Sequence, residues 1–276
     1  MTKGLGRAKK AHRKSPSTHK HKNPFPVIVE NLINDVDIIL EILDARFIEK
    51  SRHKDLEKKI KNSGKAIIHV LNKSDLVDVN NLIKNNEFKS FKKYLFFSVK
   101  KRNGVRILKN LIKMEAKRLG KDLINVGVIG YPNTGKSSII NLITGKSSAK
   151  TSSEAGYTKG IQKIKLSTGL YLIDTPGVIP LSEKSYQREI NSTKHSQIGA
   201  ITWDKTKNPD VVVQHLMKDN PGLLEKHYKV DIDEDSEVLI EKLGKKWNYK
   251  VKGNKVDEKR TAKKILKDWQ EGKIKT

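Results

Sequence analysis

The sequence has no cysteine among its 276 residues. This absence excludes disulfides, thiolate zinc sites and cysteine nucleophiles, and it is typical of a cytoplasmic protein. Long apolar runs are missing as well, since none approaches the roughly 20 residues that a membrane-spanning helix needs. The basic N-terminus is not followed by the apolar segment of a secretory signal. We therefore expect a cytoplasmic protein without a membrane partner.

Acidic residues are scarce relative to basic ones. The chain has 31 Asp and Glu against 57 Lys and Arg, which gives a formal net charge of +26. A lysine-rich composition explains part of this excess, but residues 1–22 contain no acid at all, and such a balance points to a polyanionic partner. We predict a basic arm over residues 1–26 that is disordered in isolation and contacts RNA rather than DNA. A solvated tail without a partner is the alternative.

One stretch, Gly-Tyr-Pro-Asn-Thr-Gly-Lys-Ser over 130–137, matches the phosphate-binding pattern G-x-x-x-x-G-K-[ST] at every fixed position. An apolar run over 123–129 predicts a buried strand before this loop, and helical apolar spacing follows it. In that context the loop N–H groups and the helix N-terminus face an anion. Lys136 would add charge on the terminal phosphates, and the Ser137 hydroxyl would ligate Mg²⁺. A chance glycine-rich turn is the alternative.

A second motif, N-K-x-D, stands at 72–75, directly after a predicted strand over 65–71. The Asp75 carboxylate can accept hydrogen bonds from the N1–H and N2–H₂ groups of guanine. Adenine offers neither donor, so a site built around this pairing rejects it. Asn72 would tie this loop to the phosphate loop, and the Lys73 stem would lie over the base. Four residues alone are weak evidence, but together with the phosphate loop they favour a guanine nucleotide.

Three further stretches suit the rest of such a site. Ser98 and Val99 follow a predicted strand over 93–97, where a backbone N–H can contact the guanine O6. Thr158 stands in a polar loop between the phosphate loop and the next strand, and it can close over Mg²⁺ and the γ-phosphate; a plain loop threonine is the alternative. The D-x-x-G stretch ends a predicted strand pair, so that Asp174 would hold Mg²⁺ through water and the Gly177 N–H would sense the γ-phosphate.

The order of these motifs differs from that of Ras-like GTPases, in which the phosphate loop and the switches come first. Here N-K-x-D precedes the phosphate loop, and D-x-x-G comes last. The parts can occupy the same positions in space if the old termini are joined and the chain is opened after D-x-x-G. In this order the sequence resembles the circularly permuted GTPases of the YlqF/RbgA and YawG type, which act in assembly of the large ribosomal subunit.

The resemblance carries roles onto matching positions. Asp44-Ala45-Arg46 matches the D-A-R signature of the family, although the proline that often follows is absent, and the role of Asp44 and Arg46 stays open; an Asp–Arg surface pair is equally allowed. Asn133 matches the asparagine that helps to bind K⁺ beside the phosphates. Val178 stands where Ras-like enzymes have a water-orienting glutamine. The implied catalytic residues are Lys136, Thr158 and Gly177, and the implied Mg²⁺ ligands are Ser137, Thr158 and Asp174. The implied nucleotide-binding residues are Asn72, Lys73, Asp75, Ser98, Val99, Asn133, Thr134, Gly135, Lys136, Ser137, Ser138, Asp174 and Gly177.

The expected fold class is α/β. A circularly permuted P-loop GTPase domain over 27–180, with a mostly parallel sheet and helices on both faces, precedes a small all-α domain over 181–276 that binds RNA. Apolar spacing predicts helices near 79–92, 104–120, 184–196, 208–226, 233–246 and 258–271. The tryptophans at 203, 247 and 269 are predicted to be core residues.

We therefore expect a monomeric GTPase with GTP/GDP, Mg²⁺ and K⁺ as ligands and with the large ribosomal subunit and rRNA as partners. Hydrolysis would be slow without outside help, because Val178 cannot orient water. One alternative is an RNA-binding scaffold protein in which GTP is structural. Others are a P-loop ATPase acting on nucleic acid, which Asp75 disfavours, and a membrane-bound regulatory GTPase, for which the sequence has no lipidation motif.

Overall fold

The computed structural model describes residues 32–85, 88–145, 162–174 and 188–276. Its centre is a six-stranded sheet in the order β3-β2-β1-β4-β6-β5. The strands are β1 (Ile38–Asp44), β2 (Ala66–Asn72), β3 (Tyr94–Phe96), β4 (Ile124–Ile129), β5 (Gln162–Ser167) and β6 (Leu170–Asp174). All are parallel except β5, which pairs antiparallel with β6 at the sheet edge. The predicted α/β fold with a mostly parallel sheet is confirmed.

The sheet order explains how the permuted motifs meet. The strand before the phosphate loop, β4, lies between β1 and β6, although three strands precede it in the chain. The register pairs Asp44 with Asn72 and Val128 with Asp174. The carboxyl ends of β1, β2, β4 and β6 therefore lie along one side of the sheet, which we call the carboxyl edge. The side where these strands begin is the amino edge.

Helices cover both faces of the sheet, as predicted. They are α1 (Ile48–Ser51), α2 (Lys54–Asn62), α3 (Val79–Asn85), α4 (Val105–Leu119) and α5 (Lys136–Thr144). On one face, buried residues of α4 and α5 pack against alternate residues of β1 such as Ile38, Leu40 and Ile42. On the other face, α2 and the helical residues 32–35 pack around Ile39. The nearly continuous apolar runs of these strands reflect burial on both faces.

The helix predicted over 79–92 is too long, because α3 ends at Asn85. Phe88 and Phe91 are buried beside Leu43 and Leu71, and Phe91 stacks on His69 with ring centroids 3.8 Å apart. Burial of these two rings beside the ends of β1 and β2 goes with a turn over 88–90 in place of a continued helix. Tertiary packing has overridden local helical spacing here.

The C-terminal part is helical, as predicted. It comprises α6 (Arg188–Gln197), α7 (Pro209–Asp219), α8 (Leu223–Tyr228), α9 (Ser236–Lys246) and α10 (Glu258–Gln270). The stretch predicted as one helix over 208–226 is two helices, separated at Gly222, which has a φ of 72°. Asp235 and Asp257 cap α9 and α10 by accepting backbone N–H bonds. None of the described helices is long and apolar enough to cross a membrane.

The helical part packs on the carboxyl edge of the sheet. Its core takes in Phe47 and Tyr131 from the sheet half. Of the three tryptophans, Trp269 is buried in this core as predicted, whereas Trp203 and Trp247 are only half-buried at its rim. The predicted domain boundaries at 26 and 180 lie outside the described residues.

Candidate nucleotide-binding site

The loop between β4 and α5 turns sharply around its two glycines. Gly130 and Gly135 have φ values of 148° and 99°, which L side chains rarely adopt. A Cβ atom on Gly130 would lie 2.6 Å from the Ile42 carbonyl oxygen, and one on Gly135 would lie 2.3 Å from Asn72 Nδ2. Helix α5 begins at Lys136 directly after this turn. The N-terminus of α5 therefore adjoins the loop, which is an arrangement that favours binding of an anion.

Lys136 is buried within this loop. Its Nζ donates to the Tyr131 carbonyl oxygen at 2.7 Å, and the Thr134 hydroxyl donates to the same oxygen at 2.9 Å. Ser137 and Ser138 are half-buried on the first turn of α5. The structure thus brings the predicted phosphate-binding residues together. A phosphate chain held by the loop would bring an anion to this buried ammonium group, which needs polar or charged partners away from water.

Asn72 joins the two predicted nucleotide loops. It ends β2 and is buried, and its Nδ2 donates to the Thr134 carbonyl oxygen at 2.7 Å. Its Oδ1 accepts a long hydrogen bond, 3.4 Å, from the Val99 N–H. Because β1 lies between β2 and β4, the side chain reaches across the end of β1. The predicted tie between the N-K-x-D loop and the phosphate loop is confirmed, and it joins the loop predicted to bind the base to the loop predicted to bind the phosphates.

Asp75 is held by the loop that follows β3. Its Oδ1 accepts the Ser98 hydroxyl at 2.5 Å, and the Ser98 oxygen in turn accepts the Lys101 N–H at 3.0 Å. The carboxylate is half-buried in the short 3₁₀ turn Ser74–Leu76. The candidate guanine-recognising group is thereby oriented by the neighbouring loop, beside the backbone predicted to contact the O6 atom.

Asp44 and Arg46 form a buried ion pair rather than a surface pair. Both side chains are fully buried, and the guanidinium donates from Nε to Oδ1 at 3.0 Å and from Nη2 to Oδ2 at 2.9 Å. Arg46 Nη1 donates further to the Trp269 carbonyl oxygen at 2.8 Å. On the other side, Lys73 Nζ lies 2.8 Å from Asp44 Oδ2. The D-A-R signature thus connects the N-K-x-D loop to α10.

The charges of this cluster are mutually dependent. Burial by itself raises the pKa of Asp44, but the cations Arg46 and Lys73 outweigh it and hold this pKa well below its usual range. Burial lowers the pKa of the Lys73 ammonium, and the Asp44 carboxylate opposes that shift. Asp44 therefore remains ionised and anchors the tip of Lys73. The placement of the Lys73 stem over a base stays a prediction.

The helical part contacts the phosphate loop directly. Tyr131 is fully buried, with its ring 4.3 Å from that of His53 and 5.8 Å from that of His195. The Lys194 ammonium donates to the Tyr131 hydroxyl at 3.2 Å. Asn133, the predicted K⁺ ligand, has a φ of 61° and donates from Nδ2 to the Gly199 carbonyl oxygen at 2.8 Å. Sequence reasoning missed these contacts, because Tyr131 and Asn133 occupy variable positions of the motif and their partners lie far along the chain.

Part of the predicted site lies outside the described residues. This applies to Thr158, Gly177, Val178 and the side chain of Asp174. The backbone of Asp174 ends β6 beside Val128 of β4, so that this end of β6 lies on the carboxyl edge near the phosphate loop. The assignment of Ser137, Thr158 and Asp174 to Mg²⁺ remains a prediction, as does that of Asn133 to K⁺.

A second group of ionisable residues, Glu41, Glu57 and His69, is buried between β1, β2 and α2 with its ligand-type atoms within 4.8 Å of one another. Arg52 Nε and Nη2 donate to the two oxygens of Glu57 at 2.8 and 2.7 Å. Burial lowers the pKa of His69. The Arg52 guanidinium already neutralises the Glu57 carboxylate through these two hydrogen bonds. We therefore regard the three residues as part of the packing between the sheet and α2.

Comparison with known proteins identifies relatives that are described as GTP-binding. The family model described as "50S ribosome-binding GTPase" matches residues 125–230. The "Uncharacterized GTP-binding protein MJ1464" of Methanocaldococcus jannaschii is 41% identical over 257 residues, which is 92% of this chain and 66% of that protein. "Nucleolar GTP-binding protein 2" of Saccharomyces cerevisiae is 32% identical over 252 residues, 88% of this chain. The chain spans 50% of the length of that second relative.

Solved structures share the fold. GDP-bound YlqF superposes with a TM-score of 0.61 and 24% identity, covering 89% of this chain and 95% of the neighbour. GNP-bound YlqF from T. maritima gives a TM-score of 0.60 and 23% identity, covering 90% and 94%. The likeness extends over the sheet half and the helical half together, and it establishes the permuted GTPase fold for this chain.

Proposed function

Because the chain belongs to the circularly permuted P-loop GTPases, we propose that it binds GTP, hydrolyses it slowly to GDP and acts in assembly of the large ribosomal subunit through rRNA. The observation that carries this proposal is the hydrogen bond from Asn72 Nδ2 to the Thr134 carbonyl oxygen. It joins a base-recognition loop to a phosphate loop in a chain whose motifs are permuted. The names of the relatives indicate GTP binding and a ribosomal or nucleolar role for those proteins, and we propose the corresponding role for this chain.

Guanine selectivity rests on Asp75. Its carboxylate accepts the two N–H donors of the guanine edge while the Ser98 hydroxyl holds its Oδ1. Adenine offers no N–H donor to this half-buried carboxylate, and a site built to accept two donors discriminates strongly against a base that lacks them. The Val99 backbone N–H lies beside the same loop and makes only a long hydrogen bond of 3.4 Å to Asn72 Oδ1, so it would also donate to the guanine O6.

Hydrolysis would proceed by positioning and electrostatic stabilisation, with water as the nucleophile. Ser137, Thr158 and Asp174 would hold Mg²⁺, which neutralises charge on the β- and γ-phosphate oxygens when bound. Lys136 and the loop N–H groups stabilise the same oxygens, and the Gly177 N–H senses the γ-phosphate. Val178 offers no hydrogen bond to water. Slow turnover follows, and Asn133 with K⁺ and the ribosomal particle would supply the missing help.

The ribosomal role is supported by charge and by the relatives. The chain has a net charge of +26, which suits a phosphate backbone. The matching family is described as ribosome-binding, and one relative is described as nucleolar. The basic arm over 1–26 and the helical domain over 181–276 are the proposed RNA contacts, and the chain is proposed to act as a cytoplasmic monomer.

The preference for GTP over ATP tests the proposed binding of a guanine nucleotide. We expect wild-type protein to bind GTP in preference to ATP by at least about 10³-fold, because the adenine edge donates no hydrogen bond to the Asp75 carboxylate. The variant Asp75→Asn should lose GTP and gain xanthosine triphosphate, whose C2 carbonyl accepts from the new amide. Competition against a fluorescent GDP analogue measures both. Equal displacement by ATP and GTP would show that the chain is not a guanine-nucleotide protein.

Single-turnover hydrolysis tests the second half. Rates are measured in KCl and in NaCl, each with and without large ribosomal subunits. They should rise when KCl replaces NaCl and rise again when the subunits are added. Equal rates under all four conditions would contradict the proposed activation. The variant Lys136→Ala separates a turnover enzyme from a scaffold protein, because a scaffold with structural GTP would lose subunit association together with nucleotide.

A further inference from the structure

An open groove of about 490 Å³ lies along the solvent side of α10. Trp203 and Tyr249 line it on the flanks, and basic residues of α10 form its floor; these are Lys259, Arg260, Lys263, Lys264 and Lys267. The groove contains aromatic faces and cations together, which is a combination that neither a solvated helix face nor an apolar core explains.

The cations stand on one stripe of the helix. Arg260, Lys263, Lys264 and Lys267 recur at spacings of three and four residues, so that their side chains point the same way. The opposite stripe supplies the core, where residues such as Trp269 are fully buried. Folding therefore depends on the other face of α10, and the basic stripe is available for a ligand.

A basic side chain lies over the ring of Tyr249 and another lies over the ring of Trp203. The Arg260 guanidinium lies 4.0 Å from the centroid of Tyr249, and Lys267 Nζ lies 5.0 Å from that of Trp203. The Trp203 backbone is fixed by a hydrogen bond of 2.9 Å from its N–H to Gln270 Oε1. The backbone that carries the Trp203 ring is thus anchored to α10, and a stacked guanidinium has a second planar face on which a base can lie.

The positive charge is only partly compensated. Lys264 pairs with Asp268, and Lys267 lies 3.8 Å from Glu271. In the part of the chain that the structure describes, Lys259, Arg260 and Lys263 have no carboxylate partner within 4.0 Å; Lys263 donates to the Asp204 carbonyl oxygen instead. The one acid lining the groove, Asp257, uses Oδ1 to cap α10 at the Arg260 N–H. A polyanion is the complementary ligand.

We propose that this groove binds an unpaired stretch of RNA, with phosphates on Arg260, Lys263 and Lys267 and with bases stacked on Trp203 and on the Arg260–Tyr249 pair. The inference rests on the proposed rRNA binding and names where and in what form the RNA is held. A duplex presents phosphates but hides its base faces. Aromatic platforms beside a cationic track are the means by which proteins hold single strands.

The test compares matched charge reversals in the full-length protein. One variant carries Arg260→Glu and Lys263→Glu in the groove; the control carries Lys218→Glu and Lys226→Glu, two exposed lysines of the same helical part that do not line it. Binding of a labelled single-stranded 12-nucleotide RNA should fall by at least about tenfold in the groove variant. Its salt slope should fall by about 0.7 for each phosphate that the variant no longer neutralises. The control should stay close to wild type.

Tryptophan supplies a direct signal. RNA should quench the fluorescence of wild-type protein, Trp203→Phe should keep binding but lose most of the quench, and Trp203→Ala should lose about tenfold in affinity. The groove inference is overturned if the two charge-reversal pairs weaken binding equally, or if duplex RNA competes as well as single-stranded RNA. The inference stands if only the groove variant loses RNA binding and the control variant still binds ribosomal subunits. Wild-type protein that binds neither RNA nor subunits would overturn the proposed function as well.

Discussion

The two edges of the sheet use similar residues in opposite ways. At the amino edge, Asp37 precedes β1 and pairs with Lys121 at 2.6 Å, and the lysine side chain is 59% exposed. At the carboxyl edge, Asp44 ends the same strand and pairs with Arg46 at 2.9 Å with no exposure of either side chain. One strand therefore carries a partly exposed ion pair at its start and a fully buried one at its end.

The two pairs differ in what they hold together. A partly exposed pair gains little, because water screens its exposed cation and the lysine side chain must be ordered. A buried pair is retained only with further hydrogen bonds, and Asp44 has them from Lys73 and from the Arg46 backbone N–H. Because Arg46 also donates to the Trp269 carbonyl oxygen, the ion pair at the carboxyl edge connects the N-K-x-D loop to α10, next to the candidate nucleotide site.

The largest effect is expected from breaking the buried pair. Arg46→Ala would leave Asp44 buried with one cation and release the Trp269 carbonyl oxygen, so we expect a loss of about 3–5 kcal/mol in the free energy of unfolding. Lys121→Ala at the amino edge is the matched control, with an expected loss of about 0–1 kcal/mol. Urea unfolding of the full chain measures both. Equal losses would contradict the contrast between the edges.

The motifs at the carboxyl edge could be predicted from the sequence, whereas other features of the structure could not. The phosphate loop and N-K-x-D are motifs whose chemistry places them at strand ends, so the mostly parallel sheet, the permuted order of the motifs and the Asn72 tie could be predicted, whereas the strand order was not. The burial of Asp44 and Arg46 could not, since an Asp–Arg spacing is the same on a surface and in a core. Nor could the end of α3 at Asn85, because that depends on where Phe88 and Phe91 find space.

A second contrast concerns backbone geometry, with a smaller expected effect. Gly64 before β2 and Gly135 in the phosphate loop both have positive φ values, 71° and 99°. A Cβ on Gly64 meets nothing within 4 Å, whereas one on Gly135 lies 2.3 Å from Asn72 Nδ2. Gly64→Ala should therefore cost only the strain of the left-handed conformation, about 1–2 kcal/mol.

Gly135→Ala should cost that strain and displace the Asn72 amide, a further loss of about 1 kcal/mol for the hydrogen bond to Thr134. It should also abolish binding of a fluorescent guanine nucleotide, which Gly64→Ala should leave intact. Urea unfolding and nucleotide titration are run on both variants. If Gly64→Ala weakened nucleotide binding as much as Gly135→Ala, the close approach of Asn72 to the loop would not be what holds the site.

The smallest effect is expected at the amino edge, when the pH is lowered and the Asp37 carboxylate becomes protonated. Burial raises the pKa of Asp37, but the Asn125 N–H, at 2.9 Å from Oδ2, and Lys121 outweigh it and lower this pKa below 3.8. Since the folded state binds the proton less readily than the unfolded state, Asp37 contributes stability above pH 3.8 that is lost as the pH falls through the folded pKa.

Asp37→Asn removes this contribution, so wild type and variant should differ by less than about 1 kcal/mol near neutral pH, discounted for solvent screening, and should converge as the pH falls below 3.8. Added salt should shrink the neutral-pH difference, because Lys121 is largely exposed. Urea unfolding across roughly pH 2.5 to 7, chosen to span the ordinary carboxyl pKa, measures the gap. A gap that widened on acidification would reverse the sign of the linkage and show that the amino-edge carboxylate is held less favourably in the folded chain than in the unfolded one.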